Sequence, residues 1–111
     1  MRKQAFSVHG HFYQPPRENP FTGKIPQEPG ATPFHNWNEK ILAQCYRPNA
    51  EDGNFGRISF DLGPTLATWM DENAPDVMKE IVRQERSFYE ANGVGNGMAL
   101  SYNHTILPLA T

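Results

Sequence analysis

The sequence predicts an α/β fold built on a parallel sheet. Two observations predict it. Strand-like alternation is interleaved with helical periodicity in the order strand, helix, strand, two helices, strand, and alternation of this kind implies βαβ units. The three strand segments also end in polar, ligand-capable residues, which is where parallel α/β folds bind their ligands.

Ala5 to His11 reads as the first strand, with Ala5, Phe6 and Val8 apolar and His9 and His11 at its end. Phe and Val favour strands. Phe12 to Phe34 reads as a long loop, because six of the ten prolines, Pro15, Pro16, Pro20, Pro26, Pro29 and Pro33, fall in it and forbid a regular helix or a central strand. Its aromatic and charged residues, among them Phe12, Tyr13, Arg17 and Phe21, favour an ordered binding loop. His35 to Tyr46 reads as a helix. Phe34, Trp37, Ile41 and Cys45 share a face at spacings of three and four. Asn36 and Glu39 resemble a capping box, and Pro48 is expected to end the helix. Asn49 to Gly56 reads as a polar turn region.

Arg57 to Leu62 alternates strictly, with Ile58, Phe60 and Leu62 set against Arg57, Ser59 and Asp61. That is the pattern of a half-buried strand. Gly63-Pro64 starts a helix with Leu66, Trp69 and Met70 on its apolar face. Pro75 separates it from the next helix, whose stripe is Val77, Met78, Ile81, Val82, Phe88 and Tyr89 and whose end is Asn92-Gly93. Met98 to Tyr102 reads as a third strand. Thr105 to Leu109 is a further apolar segment, interrupted by Pro108.

The chain of 111 residues suits one domain, and neither an internal repeat nor a low-complexity tract divides it. Ten Lys and Arg against twelve Asp and Glu give a net charge of −2, so there is no basic footprint for nucleic acid or an anionic membrane. The single cysteine, Cys45, allows no internal disulfide and no cysteine zinc site. No apolar run is long enough to span a bilayer. Polar Ser7 and His9 follow the basic start without an apolar core between them, which argues against a secretory signal. The expected compartment is the cytoplasm.

Three of the four histidines fall at strand ends: His9 and His11 on the first and His104 after the third. Residues two apart on a strand point the same way, so His9 and His11 face one side together. Gln14 lies just beyond the first strand, Asp61 lies on the second, and Tyr102 and Asn103 precede His104. His35 stands beside Trp37, Asn38 and Glu39 at the start of the first helix. Most of these residues also have plain structural uses. Trp37 lies on the apolar face, Glu39 serves as a cap, Asp61 faces solvent, and a lone histidine such as His35 more often serves structure than chemistry. The His-x-His pair is harder to assign to packing. It has two chemical readings. Two imidazoles on one strand side can reach one divalent ion, with His104 and Asp61 as further ligands. Imidazole and carboxamide edges can instead exchange hydrogen bonds with hydroxyls, while Trp37 offers its face to a pyranose ring. The surrounding segment from Tyr13 to Asn38 is richer in Tyr, Gln, Asn and Trp than in carboxylates, which suits polyols better than a dication.

The segments HGHFYQPPRENPFTG, FHNWNEKILAQCYRPNA, ISFDLGPTLATWM and GNGMALSYNHTILPLA together resemble the N-terminal part of glycoside hydrolase family 57, in its alpha-amylase/alpha-mannosidase-like branch. The resemblance covers nearly the whole chain. It implies a partial (β/α)7 barrel over 1–111, of which only the first strands and helices are present. It implies retaining hydrolysis or transfer on α-glucans, with no metal or organic cofactor. The family's first signature maps to His9, His11, Gln14 and Pro15, with Phe12-Tyr13 standing where the family pattern is shorter. Its second signature maps to Tyr102, Asn103 and His104. Residues of both are expected to bind the sugar being cleaved. On this reading His9, His11 and His104 are the main substrate-binding residues, and Gln14, Trp37, Asn38, Glu39, Asp61 and Asn103 are further candidates. The partners are an α-glucan or oligosaccharide and the remainder of the same barrel.

A retaining mechanism needs two carboxyl groups about 5 Å apart, and no pair here matches the family's catalytic positions. The chain is therefore expected to be inactive alone, and its apolar end at Thr111 reads as a cut through the second signature. A barrel of that kind takes about 250 residues. A metal-dependent hydrolase on a related barrel and a non-catalytic carbohydrate-binding module are the alternatives.

Overall fold

The computed structural model describes residues 2–110. Thr111, where the sequence reading places a cut, lies outside the described residues. Strand β1 (His9–Phe12) pairs in parallel with β2 (Ser59–Leu62), in the register His9 to Ser59 and His11 to Asp61. Between them run helices α1 (Trp37–Ile41) and α2 (Arg47–Glu51), joined by a π turn over Leu42–Tyr46. After β2 come α3 (Pro64–Asn73) and α4 (Pro75–Asn92).

The third strand expected over Met98 to Tyr102 is one parallel bridge, Phe60 to Gly97. The Phe60 amide donates to the Asn96 carbonyl at 2.9 Å, and the Met98 amide donates to the Phe60 carbonyl at 2.7 Å. The contact lies one pair earlier than the sequence reading and goes no further. Glycines at 93, 95 and 97 weaken extended pairing. The first strand is also shorter than expected. The register starts at His9 opposite Ser59, where β2 begins, and the Val8 carbonyl accepts from the Ser59 amide at 3.2 Å just ahead of it.

Pro48 does not end the first helix. The chain widens into the π turn just ahead of it and continues as α2. A proline in a regular helix loses one hydrogen bond and collides with the carbonyl four residues back; a π turn opens the helix at that carbonyl. The region read as a polar turn contributes the rest of α2 and a 3-10 turn over Asn54–Gly56, in which Phe55 is fully buried.

The core lies between one face of the sheet and the helices. Phe12 and Phe60 point into it, meeting Phe55, Tyr46, Leu66, Met70, Val77 and Ile81. Phe55 sits 5.1 Å from each of the two strand phenylalanines, ring centre to ring centre. On α4 the buried face is Val77, Ile81 and Gln84, whereas Val82 and Tyr89, expected in the stripe, are exposed. Positions 77, 81 and 84 recur at helical spacing. Gln84 is admitted because its carboxamide is satisfied by the Ala50 carbonyl and the Gly56 amide. Gly93, with φ 74°, ends α4 as expected. Among the described residues no helix is long and apolar enough to cross a membrane.

Candidate functional site

Alternation along β1 and β2 divides the sheet. Phe12 and Phe60 face the helices, so His9, His11, Ser59 and Asp61 share the opposite face. The parallel register places Asp61 beside His11 and Ser59 beside His9. Asp61 links both rings. Its Oδ2 lies 3.0 Å from His9 Nε2, and its Oδ1 lies 2.5 Å from His11 Nδ1. The other nitrogen of His9 meets the Ser59 hydroxyl at 2.9 Å. Burial pushes the Asp61 carboxyl up, but the hydrogen bonds from His9 and His11 and the charges of those rings outweigh it, leaving the group below its ordinary value.

His104 completes the group from the far end of the chain. Its Nε2 lies 2.9 Å from His11 Nε2. The two ring planes differ by 13° with centres 5.0 Å apart. A nitrogen–nitrogen contact that short, at that centre spacing, puts the rings edge to edge in nearly one plane. Tyr13 lies over the face of His104, with centres 3.9 Å apart and planes 11° apart. Tyr13 and His11 are 6.3 Å apart, so the three centres form nearly a right angle at His104. His104 is thus held by its edge and by one face. Its backbone is left-handed, with φ 55°, which costs an L residue about 1–2 kcal/mol; the ring contacts offset that cost.

A cavity of about 400 Å³ opens beside this pair. Its lining combines polar His11, His104, Ser101 and Thr105 with apolar Leu100, Ile106, Leu107 and Pro108. The volume lies within the ordinary range of ligand pockets. Gly63 helps to seat Tyr13, since a Cβ at that position would lie 2.7 Å from the Tyr13 ring.

The remaining sequence candidates belong to other networks. Gln14 and Asn38 hold Arg17, whose guanidinium donates to Gln14 Oε1, Asn38 Oδ1 and Glu28 Oε2 at 2.8, 3.1 and 2.7 Å. Asn38 is only 2% exposed, and the Gln14 amide also donates to the Tyr46 hydroxyl. Glu39 receives the His35 amide while its own amide is capped by Asn36; this is half of the expected capping box, since the return bond goes to the residue before the N-cap and not to the Asn36 amide. One face of Trp37 is covered by the Lys40 ammonium at 4.6 Å. Asn103 is exposed in the turn ahead of His104. His9, His11, Asp61 and His104 are therefore brought together, with Ser59 and Tyr13 added by the structure. Ser59 was legible from the strand period. Tyr13 was not, because its place depends on where residue 104 returns.

Among the described residues, no group of three or more His, Cys, Asp and Glu side chains is arranged to hold a metal ion. In the histidine cluster, both nitrogens of His9, both of His11 and both oxygens of Asp61 are engaged within the protein. No family model matches the chain, and no curated protein or solved structure is significantly similar to it.

Proposed function

We propose that the chain forms part of the substrate site of a cytoplasmic carbohydrate-active enzyme, a retaining hydrolase or transferase of α-glucans as the resemblance to glycoside hydrolase family 57 implies. In this reading β1, β2 and the segment at Gly97 are the first strands of the barrel. His9, His11 and His104 stand at the sugar, and the nucleophile and acid/base carboxyls come from elsewhere in that barrel.

The observation that carries the reading is the mixed polar and apolar lining of the cavity beside His11 and His104. A pyranose presents hydroxyls at its rim and C–H groups on its faces. His104 Nδ1, Ser101 and Thr105 match the rim, and Leu100, Ile106, Leu107 and Pro108 match a C–H face. A metal site asks for the opposite, lone pairs converging on one point. Here the imidazoles and Asp61 spend theirs on one another.

Titration with maltotriose, followed by the imidazole resonances of His11 and His104, tests this. Saturable shifts that disappear in His104→Ala are expected. Unmoved resonances, or binding indifferent to His104→Ala, would remove the carbohydrate reading.

A further inference from the structure

Asp61 is the only member of the cluster that touches two of its histidines and has no proton to give. An ionised carboxylate only accepts. Each ring nitrogen facing it must therefore carry the hydrogen, which places one on His9 Nε2 and one on His11 Nδ1. In a neutral imidazole the other nitrogen is then an acceptor. His9 Nδ1 then accepts from the Ser59 hydroxyl at 2.9 Å, which it meets more closely than the competing Val8 carbonyl at 3.4 Å does. His11 Nε2 has only His104 Nε2 before it, at 2.9 Å, so His104 must donate there. That leaves His104 Nδ1 as a lone pair, which meets no hydrogen-bond donor among the described residues.

We propose that Asp61 is the positioning residue of this site, fixing the tautomers of His9 and His11 directly and that of His104 through His11. The effect is to turn three interchangeable rings into an ordered set. The cluster then offers an acceptor, His104 Nδ1, to a hydroxyl of the bound ligand. The groups that bear on Asp61 are all on this face: His9 and His11 from β1, Ser59 from its own strand, and His104 with Tyr13 beyond His11. The role of His104 Nδ1 toward a sugar rests on the carbohydrate reading; the ordering of the rings does not.

Long-range proton–nitrogen correlation spectra of the labelled chain, recorded above the imidazole titration range, test the proposal. In the wild type, His11 is expected to be protonated at Nδ1, and His9 and His104 at Nε2. In Asp61→Asn, His11 is expected to lose its Nδ1 preference. His104 is expected to change with it, although it does not touch residue 61, and maltotriose binding should weaken about tenfold, the scale of one lost hydrogen bond. A wild-type His11 protonated at Nε2, or averaging between both forms, overturns the role of Asp61 even if maltotriose binds. The expected pattern with no response to maltotriose upholds Asp61 and removes the carbohydrate reading instead. The wild-type spectrum decides the point alone if the variant does not fold.

Discussion

Asp61 sits on a strand face that the sequence alternation assigns to solvent, yet its side chain is only 13% exposed. Two imidazoles cover it. Its carboxyl is held below the ordinary value in the folded protein, so it contributes stability wherever it is ionised. The sign follows from linkage. A depressed folded value stabilises above the unfolded value, about 3.9 for Asp, and the contribution disappears as the pH falls from there through the folded value. Denaturant titrations of wild type and Asp61→Asn are thus expected to differ at neutral pH and to converge in acid below about 3.9. A gap that stays constant across that window would show that the charge of Asp61 is not what stabilises. The His-x-His pair and its neighbour were legible because a strand has period two and both partners keep it. The assignment of Gln14 and Asn38 to sugar was not supported by any such rule. Both are drawn to Arg17, and their meeting depends on a proline-rich loop whose course no periodicity reports.

Helical periodicity located α3 and α4 well because proline and glycine mark their ends and Leu66, Trp69, Met70, Val77 and Ile81 keep one face. It was weaker where a backbone irregularity or a satisfied polar group changes the rule. Pro48 reads as a stop, but the π turn ahead of it lets the helix continue. Gln84 reads as surface, but two backbone partners let it be buried. Phe55 lies in a stretch of polar and glycine residues, so nothing in the pattern marks it as core. The 3-10 turn over Asn54–Gly56 drives its ring between Phe12 and Phe60, behind the strand face that carries the histidines. Phe55→Ala is expected to cost about 3–5 kcal/mol, the range for removing a fully buried phenylalanine. Equilibrium denaturation measures it. A loss below about 1 kcal/mol would mean that the sheet does not depend on this contact. The cavity left behind lies under β1 and β2, so if the chain binds maltotriose as proposed, that binding should weaken along with stability.

The molecule as a whole is a slab. Its radius of gyration is 16.1 Å and its extents are 57 × 39 × 23 Å, against about 13 Å for a compact domain of this length. Helices cover one side of the sheet, and the other carries the histidine cluster. Parallel sheets are ordinarily covered on both sides. This one tolerates an open side because the side chains there are polar and hydrogen-bonded to one another. The same asymmetry sets a gradient of stability. The strongest protection belongs where packing is complete, on α3, α4 and the Phe60 amide bonded to Asn96. Residues 98–110 are mostly exposed, with Met98, Tyr102, Ile106, Leu107 and Leu109 all in contact with solvent. Few buried contacts mean low-energy local opening. Hydrogen exchange is therefore expected to be slow at the centre of α4 and close to the unprotected rate over 99–110, past the Met98 amide bonded to Phe60. Equal protection in both would contradict the slab and require a packed tail. If the cavity beside His104 holds a sugar, maltotriose should slow exchange at Ser101 and over 104–107 while leaving α4 unchanged, because only the tail gains a partner. Slowing on α4 alone would place the ligand on the other side of the sheet.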